Sequence, residues 1–162
     1  MKLTMKVLER CIFGTYEIDE NGFVNVEGIV NLSSKNLTSF GDIKFGKVTG
    51  YFSCSNNNLT SLEHSPREVS GDFSCSVNKL ISLEGSPREV SGDFVCSYNK
   101  LTSLEGIPKE VGGGFFCYGN NLTSLDLHCK VKGEIHSDQE LNVKHPYSKE
   151  ILRGLINETN NT

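Results

Sequence analysis

The sequence predicts a solenoid. Short parallel strands stack into a sheet on one face, irregular or extended segments return behind them, and a cap closes each end. Three observations predict it. A unit of about 21 residues repeats in register. Inside each unit a short run alternates apolar and polar residues, followed by Asn and two leucines. Apolar content is only 36% in a chain of 162 residues, and stacked repeats bury such a small apolar complement efficiently.

The N-terminal cap comes first, over residues 1–27. From Leu3 to Phe13, the residues Val7, Leu8, Cys11 and Ile12 recur at helical spacing, so a short amphipathic helix is expected. Next, two alternating segments, Tyr16 to Asp19 and Phe23 to Val26, flank Asn21-Gly22. That dipeptide is a strong hairpin signal, because both turn residues need positive φ.

The repeats follow, over residues 28–143, as five full copies and a degraded sixth. Cut before Gly, the central ones begin at Gly50, Gly71, Gly92 and Gly113, with a diverged copy from Gly28. Positions three and five are apolar: Val30/Leu32, Phe52/Cys54, Phe73/Cys75, Phe94/Cys96 and Phe115/Cys117. Their neighbours are mostly polar, so each unit holds a half-buried strand. Position eight is Asn57, Asn78, Asn99 or Asn120, suited to turning the chain and bonding the backbone of adjacent units. Leu59/Leu62, Leu80/Leu83, Leu101/Leu104 and Leu122/Leu125 fill the core behind the strand, with Leu37/Phe40 in the first copy. Pro66, Pro87 and Pro108 then lead a return segment ending in Val69, Val90 or Val111, where Pro disfavours a helix. After the stack, residues 144–162 read as a capping helix and tail, with Ile151, Leu152, Leu155 and Ile156 on one face.

The stretch Phe73-Ser74-Cys75-Ser76-Val77-Asn78-Lys79-Leu80 resembles the second half of the leucine-rich repeat pattern. The short unit, with S-L-E-G-x-P-x-E-V after the Asn, is similar to the compact bacterial type of that repeat. Its wording, with Phe and Cys on the strand, looks like small repeat proteins encoded by bacteriophages. The resemblance implies a leucine-rich-repeat solenoid and, through the phage likeness, a small anti-defence protein acting on a bacterial host protein in the host cytoplasm.

Composition and motifs argue against several function classes. Net charge is −4, without the basic surplus that general nucleic-acid binding requires. No run approaches the ~20 apolar residues of a membrane span. Glu9 and Arg10 interrupt any signal-peptide core, so the thiols are expected to be reduced in a cytoplasmic protein. Cys54, Cys75, Cys96 and Cys117 recur once per unit; a ladder spreads them along a line, whereas a metal needs converging ligands. Buried Cys acts as a small hydrophobe, and that is the reading given to them. His128, Cys129, His136 and His145 match no tight zinc spacing. Gly112-Gly113-Gly114 lacks the Lys-Ser/Thr of a phosphate loop and falls at a repeat junction. Glu63, Glu84, Glu105 and Asp126, with Arg67, Arg88, Lys109 and Lys130, read as solvated charge rows. No catalytic residue, metal or cofactor is assigned.

The working surface expected is the outward strand face, at positions two, four and six with the loop beside them. Partner-binding candidates are Tyr51, Asp72, Asp93, Val95, Tyr98, Phe116, Tyr118 and His136. Serines occupy much of this face in the central copies, and Val95, Tyr98, Phe116 and Tyr118 replace polar residues toward its C-terminal side. Clustered exposed aromatics anchor partners at low entropy cost, so a non-catalytic protein-binding module is the leading expectation. The alternatives are a small-ligand sponge for nucleotide-like molecules, using the aromatics with Asp93 and His136, and a structural or self-assembling repeat protein.

Overall fold

A computed structural model describes residues 1–138. The C-terminal helix expected after residue 143 lies outside the described residues. Over the described residues the chain is a parallel β-solenoid of about five turns with almost no helix.

The N-terminal layer holds the only helix of the described residues, α1 (Met5–Leu8). It is far shorter than the Leu3–Phe13 expectation. Thr4 makes no side-chain cap bond, and Ile12, the last residue of the helical apolar pattern, is already in strand β1 (Ile12–Ile18). Sheet pairing therefore takes residues that helical spacing had claimed. β1 runs antiparallel to β2 (Phe23–Asn31), with Ile12 opposite Val30 and Ile18 opposite Val24. The hairpin forms where expected but through a longer turn: Gly22 takes positive φ, at +79°, and Asn21 does not, while Gly22 N–H donates to the Asp19 carbonyl and Asp19 Oδ1 accepts the Asn21 and Phe23 N–H groups at 2.9 Å.

Beyond β2 the strands form two ladders. The return ladder contains β3 (Lys44–Val48), then the two-residue strands β5 (Glu68–Val69), β7 (Glu89–Val90), β9 (Glu110–Val111) and β11 (Lys130–Val131). The front ladder contains β4 (Phe52–Ser53), β6 (Phe73–Ser74), β8 (Phe94–Val95), β10 (Phe115–Phe116) and β12 (Ile135–His136). β2 belongs to both: its Phe23–Val26 part pairs with β3 and its Val30–Asn31 part with β4. The return segments, expected to be irregular or extended, thus contribute a second parallel ladder.

A column of glycines joins the two ladders at each corner. Gly71 N–H donates to the Gly50 carbonyl at 3.1 Å, and Gly92 and Gly113 continue the chain of bonds. A Cβ on Gly71 would lie 2.8 Å from the Gly50 carbonyl carbon. The corner backbones stack too closely for any side chain, which is why Gly opens every central repeat.

The core fills the space behind both ladders. Phe52, Phe73, Phe94 and Phe115 stack nearly parallel, with centroids 5.4–5.7 Å apart. Cys54, Cys75, Cys96 and Cys117 lie beside them, fully buried. Burial pushes the Cys75 thiol up to about 12, so these are inert hydrophobes. The buried Asn column binds the turns together. Asn99 Nδ2 donates to the carbonyls of Cys75 and Cys96, both at 3.1 Å, while its Oδ1 accepts the Leu80 N–H at 3.1 Å. Asn57, Asn78 and Asn120 repeat this arrangement. Backbone groups that the two-residue strands leave unpaired are satisfied this way.

Candidate partner-binding face

The front ladder carries three outward columns. The first follows strand register: Asn31, Ser53, Ser74, Val95, Phe116 and His136. The second is Ser55, Ser76, Ser97 and Tyr118, two residues further along each unit. The third is the loop position after it, where Ser34, Asn56, Val77, Tyr98 and Gly119 all have left-handed backbone, with φ between 54° and 60°.

Near the N-terminal end the face is hydroxylated and self-satisfied. Ser33 and Ser53 hydroxyls meet at 2.8 Å, and Ser55 and Ser74 at 2.7 Å. Ser53 reaches Ser55, and Ser74 reaches Ser76, both at 3.3 Å. The relay ends where Ser76 Oγ donates to the Val95 carbonyl at 3.4 Å.

From Val95 onward the surface turns apolar and aromatic. The Phe116 ring stacks on the His136 imidazole, with centroids 4.9 Å apart and planes at 4°. Tyr118 leans on the same imidazole at 5.9 Å. Glu134 Oε2 holds His136 Nε2 at 2.8 Å and so fixes the ring's orientation. Two glycines clear space for these rings. A Cβ on Gly114 would lie 2.9 Å from Phe116 Cζ, and one on Gly119 would lie 2.8 Å from Tyr98 Cε1. Phe116, Tyr118 and His136 are half-buried in this packing, while Tyr98 stands 63% exposed.

The structure therefore gathers Val95, Tyr98, Phe116, Tyr118 and His136 into one patch. Asp72 and Asp93 sit at its corner edge with a different occupation. Asp72 Oδ1 accepts the Asp93 N–H at 2.9 Å, and Asp93 Oδ1 accepts the Gly114 N–H at 2.7 Å. They brace successive corners. Tyr51 is exposed but lies at the far end of the stack, on the turn paired with β2.

Val77 completes the patch and carries more weight than its sequence context suggests. It is 47% exposed and holds φ +54°, a backbone region that a β-branched side chain enters only at a cost. The signal was available: other copies place Ser, Asn or Gly there, residues that tolerate this conformation. Val77 and Tyr98 both depart from that preference without gaining burial.

A shallow cleft of about 440 Å³ lies elsewhere, lined by Thr15, Glu17, Asn25, Glu27, Lys47 and Thr49 among others. Lys47 is paired with Glu68 at 3.6 Å. Among the described residues, no group of three His, Cys, Asp or Glu side chains is placed to hold a metal. No helix there is long and apolar enough to cross a membrane. The chain matches no family model, and no curated protein or solved structure shows significant similarity to it.

Proposed function

We propose that this chain is a non-catalytic binding protein whose front strand face docks a macromolecular partner through Val77, Tyr98, Phe116, Tyr118 and His136. The observation that carries the reading is the third outward column. There, two large apolar side chains occupy left-handed positions while remaining 47% and 63% exposed. Folding gains nothing evident from that choice, and strain at an exposed site is a mark of function. The patch adjoins rings already fixed by stacking, so little rotamer freedom is lost on binding. Hot spots of protein interfaces have this aromatic character.

The finer reading rests on resemblance. The buried Asn column, with F-x-C-x-x-N-x-L around it, supports placing the repeat with leucine-rich repeats. The wording of the unit supports a phage-type origin. On that basis the partner class proposed is a bacterial host protein, bound in the cytoplasm and inhibited or sequestered.

The test is affinity capture from bacterial lysate with the wild-type chain and with Tyr98→Ala/Phe116→Ala/Tyr118→Ala. The expected outcome is a protein retained by the former and lost by the latter, with both baits showing the same circular dichroism. A partner retained equally by both, or none retained by either, overturns the proposal.

A further inference from the structure

A second surface, independent of the strand face, lies at the N-terminal edge of the sheet. β1 pairs with β2 on one side only; among the described residues nothing pairs with its other edge. Asn31 N–H donates to the Cys11 carbonyl, and Asp19 N–H to the Phe23 carbonyl. Alternation along an antiparallel pair then directs the backbone groups of Phe13, Thr15 and Glu17 toward β2. Those of Ile12, Gly14, Tyr16 and Ile18 point away, toward the open edge.

That edge is lightly protected, with Glu17 its single charge. Its sequence, Ile12-Phe13-Gly14-Thr15-Tyr16-Glu17-Ile18, contains no Lys and no Pro. Phe13 is 63% exposed, Ile18 54% and Tyr16 39%. Tyr16 and Ile18 lie opposite Val26 and Val24, two core residues. They therefore continue the core face past the region that α1 covers.

We propose that the open edge of β1 pairs antiparallel with β1 of a second copy, about a two-fold axis at Gly14. The occupant follows from the bend in the strand. Gly14 and Gly28, at φ +142° and +133°, turn β1 and β2 around the corner between the two ladders. A neighbouring strand must bend at the same place, and a two-fold axis at Gly14 brings two such bends into register. Gly14 then faces Gly14 of the other copy, extending the side-chain-free corner column. Ile12 and Tyr16 face each other's counterparts, which pairs the outward backbone groups of Ile12, Gly14 and Tyr16. Phe13 lies opposite Thr15, an aromatic–β-branched cross-strand pair. Ile18 of each copy falls against the α1 end of the other, which closes the uncovered core face. The interface is isologous and closed, so it yields dimers and not filaments.

Sedimentation of the full chain over a range of micromolar concentrations tests this, with two variants. Phe13→Lys/Thr15→Lys puts like charges opposite each other across the axis, on exposed positions that no core contact needs. The wild type is expected to sediment as a dimer and this variant as a folded monomer by circular dichroism. Mixed with Phe13→Glu/Thr15→Glu, it should form a heterodimer. In addition, a mixture of Phe13→Cys and Thr15→Cys chains should cross-link on mild oxidation, well above either chain alone or the wild type. A wild type monomeric at every concentration overturns the proposal. So does a dimer that survives the lysine pair, or one that fails to cross-link in the mixture. Partner capture through the strand face is unaffected by the lysine pair, so the two readings fail separately.

Discussion

The front and return ladders repeat with the same period, yet their outer surfaces differ in kind. On the return ladder the outward column reads Lys47, Glu68, Glu89, Glu110 and Lys130, in direct register. Lysines close both ends: Lys47 meets Glu68 at 3.6 Å, and Lys130 and Lys132 meet Glu110 at 3.9 and 2.7 Å. The same residue type recurs because a solvated charged row suffices. On the front ladder the outward column changes from serine to valine, phenylalanine and histidine along the stack. A position held constant by packing and solubility keeps its residue; the divergence of the front column is what the proposed partner-binding role would explain.

The core beneath both ladders should give the largest effects when broken. Phe94→Ala opens a gap between two stacked rings, and a cost of about 3–5 kcal/mol is expected in denaturant unfolding. Asn99→Ala leaves the Leu80 N–H without its acceptor and the Cys75 and Cys96 carbonyls without a shared donor. One buried group of this sort costs about 1–3 kcal/mol, so the variant should approach the phenylalanine deletion. The front surface should respond in the opposite direction. Val77→Gly relieves the left-handed backbone and is expected to raise stability by about 1 kcal/mol, while weakening partner capture. A variant more stable and equally able to bind would remove Val77 from the proposed site.

The buried thiols add a pH signature. Because burial raises the Cys75 thiol from 9.0 to about 12, the folded state holds its proton where the unfolded chain releases it. This contribution is fully present below pH 9 and is lost as pH rises through about 12. Melting temperature should therefore fall on the alkaline side, and less steeply in Cys75→Ala. The return surface should give the smallest change. Glu89 sits between Glu68 and Glu110 in register, and like charges directly opposite are unfavourable. Glu89→Gln should raise the melting temperature slightly at low salt, and the gain should vanish at high salt.

The front ladder was legible because alternation over Phe-Ser-Cys-Ser is a strand signal and a recurring Asn predicts a bonded turn. Asn21-Gly22 announced its hairpin for the same local reason. The return ladder was not legible as strand, because two-residue runs such as Glu89-Val90 are too short to show any period. Its regularity comes from stacking between turns, which no single unit contains. The corner glycines marked the repeat boundary, but their cause is a close approach to the neighbouring turn. α1 was overestimated because its helical spacing competes with a β2 partner that is distant in sequence. Within the candidate site, the aromatic side was visible as departures from the repeat. Val77 was visible as a departure too, against Ser34, Asn56 and Gly119 in other copies, but its left-handed backbone and the bracing roles of Asp72 and Asp93 needed the structure to appear.

Photo-crosslinking from each ladder separates a partner-binding front surface from a merely solvated one. A photoreactive residue at Tyr98 samples the front patch, and one at Glu89 samples the return column. In bacterial lysate an adduct with a defined protein is expected from Tyr98 and none from Glu89. The same adduct from Glu89 alone, or no adduct from Tyr98, would contradict a partner-binding front surface.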